Sequence, residues 1–177
     1  MKTLTLLRHA KSDWTDAVQR DFDRPLNERG RRAARTMGAY LAGQGLGFDR
    51  VIASPAVRVR DTLDEVARGY GRALDARFDQ RIYLAPASAL LDLVRETDED
   101  VERLLLVGHN PGLEELALEV GRADAGSPMR REVEIKYPTA TLAEIALDGA
   151  GWRDAAAGRI TRFVRPRDLD PELGPDA

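Results

Sequence analysis

Apolar residues follow two patterns along the chain. Short apolar runs predict β-strands, and longer stretches in which apolar residues recur about every 3.6 positions predict helices. The predicted strands cover residues 3–7, 51–53, 78–84, 104–107, 139–147 and 159–164. The predicted helices begin at Asn27, at Pro55, at Ala87 and directly after Asn110, so that they separate the first five strands from one another.

Proline, glycine and asparagine mark the ends of these predicted helices. Pro55 suits the start of the second helix, because proline fixes φ and lacks the amide hydrogen that the first turn leaves unpaired. Gly69 and Gly71 are predicted to end that helix. Asn110 is predicted to cap the fourth helix, with Pro111 at its first position.

The order of the elements predicts the fold. Strands that alternate with helices indicate βαβ units, in which helices cover both faces of a parallel sheet. The last two predicted strands have no helix between them, which adds an antiparallel part. We therefore expect an α/β fold, a three-layer α/β/α sandwich with a mostly parallel, mixed central sheet. The 177 residues suit one domain, which we place at residues 1–169, followed by a C-terminal tail at residues 170–177.

Charge and composition exclude several classes of protein. The chain carries 27 Lys and Arg residues against 30 Asp and Glu residues, which argues against a nucleic-acid partner held by a positive field. No apolar run is long enough to span a membrane, and the apolar stretch before Arg8 is too short for a signal peptide. The absence of cysteine removes disulfides, thiolate zinc sites and cysteine nucleophiles, and it fits a reducing compartment. We expect no nucleic-acid or membrane partner and a cytoplasmic location.

Chemically versatile residues follow three of the predicted strands. Arg8 and His9 come directly after the first strand, and Ser54 follows the second strand with Arg58 one turn into the next helix. His109 follows the strand at residues 104–107, and it is the only histidine besides His9. Because ligands of open α/β sheets bind beyond the carboxyl ends of the strands, we expect these side chains to meet at one edge of the sheet.

Two arginines beside two histidines are typical of a phosphate site. The planar guanidinium fork matches phosphate oxygens, and a helix that starts at Asn110 adds backbone N–H groups. A metal site usually needs three or more protein ligands, and neither the H-x-H nor the H-E-x-x-H spacing occurs. The residues therefore predict a phosphate pocket that contains a histidine nucleophile and needs neither a metal nor another cofactor.

These segments resemble the motifs of the histidine phosphatase superfamily. Residues 7–10 (LRHA) resemble its R-H-G signature, residues 54–58 (SPAVR) with Thr62 resemble its S-P-x-x-R-x-x-x-T segment, and residues 108–110 (GHN) resemble its second-histidine motif. The segments RHAKSDW, DFDRPLNERG, VGHNPGLEEL, KYPTATLA and FVRPRDL look like the compact SixA-type phosphohistidine phosphatases of bacteria. The matches run from residue 4 to about residue 169.

The resemblance implies a role for each matching residue. His9 would be the nucleophile and would form a phosphohistidine intermediate, while Arg8 and Arg58 would hold the phosphoryl oxygens. His109 would face the same oxygens, stabilise charge in the transition state and serve as a candidate proton donor. Ala10 stands where the family usually has glycine, which is acceptable if its φ is negative.

The general acid that many relatives use has no obvious match in this sequence. Asp13, Asp79, His109 and solvent all stay open as the proton donor. An alkoxide needs protonation to leave, whereas the imidazole of a phosphohistidine is a far better leaving group. The lack of an obvious general acid therefore favours cleavage of N–P bonds over ordinary O–P bonds.

The length between the motifs points to the same substrate. Only 41 residues separate Thr62 from Leu104, which leaves no room for the large helical lid of mutase-like relatives. An open site suits a phosphohistidine carried by a protein, such as a signalling phosphotransfer domain. A small-molecule phosphomonoesterase and a non-catalytic phosphate-binding regulatory module stay as alternatives, and the oligomeric state stays open.

For other residues near the motifs, the sequence permits either a role in the cleft or an ordinary role at the surface or in packing. Trp14 and Trp152 are predicted to be packing anchors rather than ligand platforms. The residues that could line the cleft or hold its loops are Lys11, Ser12, Arg20, Arg24 and Thr139.

Overall fold

A six-stranded mixed sheet forms the centre of the computed structural model, which describes residues 1–15 and 20–174. The strands are β1 (Thr3–Arg8), β2 (Arg50–Ala53), β3 (Ala76–Phe78), β4 (Arg103–Gly108), β5 (Leu142–Leu147) and β6 (Gly158–Val164). Their order is β3-β2-β4-β1-β5-β6. The first four are parallel, β5 runs antiparallel to β1, and β6 runs antiparallel to β5. The predicted α/β fold with a mostly parallel, mixed sheet is confirmed.

Helices cover both faces of the sheet. They are α1 (Glu28–Gly43), α2 (Val57–Tyr70), α3 (Ala87–Arg95), α4 (Gly112–Val120), α5 (Pro128–Ile135) and α6 (Pro166–Leu169). Alternate residues of the central strands point to opposite faces, so that Leu106 packs with α3 and α4 while Val107 packs with α1 and α2. In the described part of the chain, no helix is both long and apolar enough to cross a membrane.

Two predicted strands are longer than the observed ones. The strand predicted at 78–84 is wrong beyond Phe78, because the Asp79 carboxylate accepts a hydrogen bond from the Arg81 amide and starts a short 3₁₀ turn. The strand predicted at 139–147 begins only at Leu142. Ala140 before it has a φ of 56° and donates its amide to the Arg8 and His9 carbonyls, so this segment folds over the end of β1.

The start of α4 differs from the prediction. Pro111 is the N-cap residue rather than the first helical residue, and the helix begins at Gly112. The Asn110 side chain still accepts a hydrogen bond from the Glu114 amide. Gly112 is required there, because a Cβ atom on it would lie 1.9 Å from the Ala85 carbonyl oxygen.

The sequence pattern did not predict α5. Ser127 caps this helix by accepting from the Arg130 amide, and Pro128 occupies its first turn. Val133 is its one buried residue, and a helix with so little apolar contact lacks the 3.6-residue stripe that the prediction depends on.

Gly69 does not end α2, contrary to the prediction. The helix continues to Tyr70, and Gly71 ends it in the left-handed conformation with a φ of 86°. A Cβ atom on Gly69 would lie 2.0 Å from the Arg35 carbonyl oxygen, and one on Gly38 would lie 2.1 Å from the Val66 carbonyl oxygen. The two glycines therefore let α1 and α2 cross in backbone contact.

The residues that follow α6 pack against the body of the protein. Leu173 is buried in the core beside α1, and Arg32 of α1 forms an ion pair with Asp170 at 2.5 Å. Arg29 donates a hydrogen bond to the Gly174 carbonyl at 2.6 Å. The described part of the predicted tail is thus docked, while the domain boundary at residue 169 stays a prediction.

We expect Gly38→Ala to lower the free energy of unfolding by about 1–3 kcal/mol, because the added methyl forces the two helices apart. Gly43→Ala is the matched control, since a Cβ atom there meets nothing within 4 Å. Urea unfolding of both variants measures the difference. Equal stability of the two would contradict the close crossing of α1 and α2.

Candidate active site

Three parallel strands end at one edge of the sheet and form the floor of a cleft. Arg8 of β1 lies level with Gly108 of β4, and the His9 amide donates to the Gly108 carbonyl at 3.1 Å. The Ser54 amide after β2 donates to the Val107 carbonyl at 3.1 Å. These pairings bring Arg8, His9, Arg58 and His109 together around a cleft of about 650 Å³.

The hydrogen bond of His9 fixes its tautomer. The ring is 7% exposed, and its Nδ1 lies 2.7 Å from the Ala10 carbonyl oxygen. A carbonyl oxygen only accepts, so Nδ1 carries the proton and Nε2 carries the lone pair. Burial holds the pKa of His9 well below its usual value, and the charge of Arg8 adds to this, although the bond to Ala10 opposes it. His9 is therefore a neutral imidazole.

The loop after His9 is tied to α2. The Ala10 amide donates to the Thr62 hydroxyl at 2.9 Å, and that hydroxyl donates to the Arg58 carbonyl at 2.6 Å. Ala10 is not among the described non-glycine residues with positive φ, which are Leu84 and Ala140. Alanine therefore fits at this position without backbone strain.

His109 has the opposite tautomer. Its Nδ1 lies 3.2 Å from Nη2 of Arg58, and a guanidinium only donates, so Nδ1 accepts and Nε2 carries the proton. That proton is donated to the Ser54 hydroxyl at 2.7 Å. Burial and the charge of Arg58 lower the pKa of His109 to about 3. The ring centroids of His9 and His109 are 5.3 Å apart.

The two arginines differ in their partners. Arg8 donates to the Tyr137 carbonyl at 3.0 Å and forms no ion pair with a carboxylate of the described residues. Arg58 is almost completely buried and donates to the backbone carbonyl and the carboxylate of Asp21, at 2.7 and 3.1 Å. Arg8 is thus left to neutralise an added anion.

Asp21 organises one side of the cleft, and sequence reasoning missed it. Its carboxylate accepts hydrogen bonds from Arg24 at 2.7 Å, from Arg58 and from the Tyr83 hydroxyl. Burial opposes ionisation, but these donors outweigh it and hold the pKa of Asp21 well below its usual range. The sequence signal for Asp21 is the segment DFDRPLNERG, of which it is the first residue. This segment begins eleven residues after the motif at residues 7–10 and follows no helix or strand pattern.

Positive charge dominates the lining of the cleft. Among the described residues that line it, Asp21 is the single carboxylate. The cations that line it are Arg8, Lys11, Arg24, Arg58 and Lys136. Such a set is suited to a phosphoryl group, since charge-assisted bonds from guanidinium and ammonium groups match its oxygens.

Known proteins share this chain's sequence pattern and fold. Residues 4–83 match the model of the histidine phosphatase superfamily, branch 1. The phosphohistidine phosphatase SixA of Escherichia coli is 30% identical over 154 residues, which cover 82% of this chain and 86% of that protein. The chain belongs to the histidine phosphatase superfamily. The predicted family is confirmed, and the protein is a hydrolase of this superfamily.

Two further proteins are similar to this histidine phosphatase. A solved structure from Nakamurella multipartitia, described as a SixA phosphohistidine phosphatase, matches with a TM-score of 0.78 and 30% identity, covering 93% of this chain and 96% of that chain. An uncharacterised protein of Mycobacterium tuberculosis is 31% identical over 164 residues, which cover 91% of this chain and the whole of the relative.

The structure shows which of the residues near the motifs line the cleft of this histidine phosphatase and which lie elsewhere on the surface. Lys11, Arg24 and Thr139 line the cleft, whereas Arg20 is exposed and pairs with Asp23. Ser12 accepts a hydrogen bond from Arg24, which secures the loop after His9.

The two tryptophans have different roles. Trp152 is fully buried, as predicted for a packing anchor, and its ring nitrogen donates to the Val101 carbonyl. The same prediction is wrong for Trp14, which is 74% exposed and lines the cleft. The Arg24 guanidinium lies 3.5 Å from the centre of the Trp14 ring. One face of the indole therefore contacts a cation and not the hydrophobic core.

Neither aspartate considered as a general acid lines the cleft of this histidine phosphatase. Asp13 accepts from the Thr15 amide, and Asp79 forms an ion pair with Arg81 at 2.8 Å. Both interactions lower the pKa of these carboxyl groups and keep them ionised. Within residues 1–15 and 20–174, no group of three or more His, Cys, Asp or Glu side chains has a geometry suited to a metal ion.

We expect both histidine rings to be still neutral when the pH falls to about 6.5, the ordinary pKa of histidine, because burial lowers their pKa values. The unfolded chain then binds more protons, so the free energy of unfolding decreases as the pH falls below about 6.5. Nitrogen-15 NMR of the rings measures the first effect, and urea unfolding at about pH 7.5 and 5.5 measures the second. A His9→Gln/His109→Gln variant should lose less stability over this interval. A ring that titrates near pH 6.5 would contradict the expectation.

Proposed function

We propose that this histidine phosphatase works without a metal, that His9 is its nucleophile, and that its substrate is a phosphohistidine carried by a protein such as a signalling phosphotransfer domain. One observation carries the proposal. The Ala10 carbonyl holds the proton of His9 on Nδ1, so the lone pair is on Nε2 in a cleft that Arg8 and Arg58 line.

In the first step, His9 attacks the phosphorus atom. A bond forms between Nε2 and phosphorus while the bond between phosphorus and the leaving nitrogen breaks, and the leaving imidazole takes a proton from water. The Nδ1–H bond to the Ala10 carbonyl stabilises the positive charge that develops on the ring of His9. Neutrality of His9 before the attack is essential, because a protonated ring has no lone pair to donate.

In the second step, water attacks the phosphorus atom of phospho-His9. The bond between phosphorus and Nε2 breaks, its electron pair returns to the ring, and inorganic phosphate leaves with the protons of the water. His9 is again a neutral imidazole with its proton on Nδ1. Most of the catalysis is positioning and charge neutralisation, which is general for phosphoryl transfer.

His109 changes its charge when the phosphoryl group binds. In the free site its Nδ1 accepts from Arg58 and has no proton for an oxygen atom. A doubly negative phosphoryl group beside the ring raises the pKa of His109. The protonated ring then donates from Nδ1 to a phosphoryl oxygen and stabilises the transition state.

Positive side chains take the role that a metal ion has in other phosphatases. Arg8 has no carboxylate partner among the described residues, and Arg58 shares its charge with a single aspartate. Two guanidinium groups and a protonated His109 are sufficient to neutralise the developing charge on the equatorial oxygens. No step therefore needs a divalent cation.

The state of Asp21 favours N–P bonds. It is the one carboxylate among the described lining residues, and hydrogen bonds from Tyr83 and Arg24 keep it ionised at neutral pH. An ionised carboxylate cannot protonate an alkoxide leaving group, whereas an imidazole leaving group needs little assistance. Similarity to SixA of Escherichia coli, a phosphohistidine phosphatase, supports the same substrate class.

The segment between Thr62 and Leu104 supports a substrate carried by a protein. Besides the end of α2, it contains β3, a single 3₁₀ turn and α3, which packs on the sheet. None of these described elements is a separate helical lid over the cleft.

The cytoplasm stays the predicted location.

We expect a brief reaction with labelled phosphoramidate to leave an acid-labile phosphate on the wild-type protein and none on His9→Ala. The His9→Ala variant should lose activity by on the order of 10³-fold or more, because no other group replaces the nucleophile. His109→Gln is the matched control, which should react more slowly and still carry the label. Rapid quench and gel autoradiography measure the label.

Two results would contradict this mechanism. Label retained on His9→Ala would show another nucleophile, and the chain offers only His109 as a second histidine. Strong inhibition by EDTA would show that a metal takes part, whereas we expect activity to be unchanged.

We also expect a preference for N–P over O–P substrates. The ratio kcat/KM for a histidine-phosphorylated protein should exceed that for sugar phosphates by at least about 100-fold. The reason is that an alkoxide leaving group needs a proton donor that the site does not supply, whereas an imidazole leaving group needs little assistance. Release of inorganic phosphate from a panel of both substrate classes measures the ratio. Faster turnover of the sugar phosphates would favour a small-molecule phosphomonoesterase.

A further inference from the structure

Large exposed apolar side chains are concentrated near the cleft. The described residues contain five of them, namely Met1, Trp14, Phe78, Leu84 and Ile135. Trp14 and Leu84 line the cleft, and Ile135 directly precedes Lys136, which also lines it. These three residues, Trp14, Leu84 and Ile135, are 74%, 55% and 82% exposed and are called the apolar rim below.

Leu84 is held at the rim by its neighbour. Tyr83 points inward, where its hydroxyl donates to Asp21 and its ring packs edge-on against His109 at 5.4 Å. Leu84 then has a φ of 51°, a left-handed conformation that is unfavourable for a leucine. An exposed leucine kept in this conformation, beside a residue that contacts the site, indicates that its side chain has a use at the surface.

Ile135 is connected to the site in the same way. It ends α5, and two residues later Tyr137 is fully buried with its hydroxyl on the Leu6 carbonyl. The backbone carbonyl of Tyr137 accepts hydrogen bonds from Arg8 and Asn110, both at 3.0 Å. The position of Ile135 is therefore fixed relative to Arg8.

Trp14 is connected to the site through Arg24. The guanidinium of Arg24 lies against one face of the indole and also binds Asp21, which in turn binds Arg58. All three members of the apolar rim are thus connected, through neighbouring residues or a direct contact, to residues that surround the phosphoryl site.

We propose that the apolar rim docks a folded protein that presents apolar side chains around its phosphohistidine. This inference rests on the proposed function. The charges are complementary, since five cations and one carboxylate line the cleft that receives the phosphoryl group. The rim comes from three separate segments and extends beyond the cleft at Ile135, so a ligand that contacts all of it must be larger than a phosphate ester held inside.

These connections explain how docking assists the reaction. Contact with the apolar rim places the phosphohistidine of the partner at a fixed position relative to His9, and binding energy from remote contacts then serves the reacting atoms. Exposed apolar patches with polar surroundings commonly mark protein interaction sites. The apolar rim therefore determines specificity for the carrier protein and leaves the chemistry of phosphoryl transfer unchanged.

The test compares two substrates with Leu84→Ala, Ile135→Ala and the double variant. Phosphoramidate reports the chemistry alone, and a set of folded phosphotransfer domains phosphorylated at histidine reports docking. KM for the domains should rise roughly fivefold in each single variant and more in the double variant, with kcat unchanged. Both parameters for phosphoramidate should stay at wild-type values in Ile135→Ala, because Ile135 is not among the residues that line the cleft.

Phe78→Ala is the matched control, because Phe78 is 41% exposed at the edge of the sheet and does not line the cleft. It should leave both substrates unaffected, and thermal unfolding should confirm that every variant folds. Loss of phosphoramidate hydrolysis in Ile135→Ala, an unchanged KM for the domains in the rim variants, or failure of the wild type to act on any domain would overturn the docking proposal.

Other outcomes identify a different occupant and also overturn the proposal. An equal rise in KM for a small aryl phosphate would assign the apolar rim to small molecules, and conversion of a wild-type dimer to a monomer would assign it to a second copy of the chain. Failure of the wild type to hydrolyse phosphoramidate and the domains alike would instead overturn the proposed function itself.

Discussion

The hydrogen bond from the His9 amide to the Gly108 carbonyl joins the ends of β1 and β4, and the rest of the site depends on this pairing. Parallel register brings Arg8 level with Gly108, so the residues that follow each strand emerge side by side. The two histidines, which lie 100 positions apart in the sequence, therefore have ring centroids 5.3 Å apart. A displacement of one strand by a single residue would turn one ring to the other face of the sheet.

Charge balance is the second constraint on this histidine phosphatase. Cations concentrated in a cleft repel one another. Burial lowers the pKa of both histidines most, and the nearby arginines lower it further. Asp21 relieves part of this repulsion by pairing with Arg24 and Arg58, while Arg8 forms no ion pair with a carboxylate of the described residues. Burial and the positive charge of the cleft thus keep the ring of His9 neutral.

Local sequence was sufficient for much of the fold, because periodicity and capping are local properties. The runs that became β1, β2, β4 and β6 were predicted within a residue or two, as were α1 and α3. The errors have tertiary causes. Gly69 reads as a helix end from sequence, but it is the contact where α2 meets the backbone of α1. The segment at 139–141 reads as strand, but Ala140 folds over the end of β1 instead.

The sequence by itself determined that Arg8, His9, Arg58 and His109 would share one edge of the sheet, because parallel strands place their carboxyl ends together. Only the tertiary structure decided which nitrogen of each ring carries the proton, since this depends on the Ala10 carbonyl and on Arg58. It also decided that a carboxylate in an irregular segment would pair with the arginines and that Trp14 would be exposed at the cleft. Such contacts join segments with no common periodicity, so no local pattern encodes them.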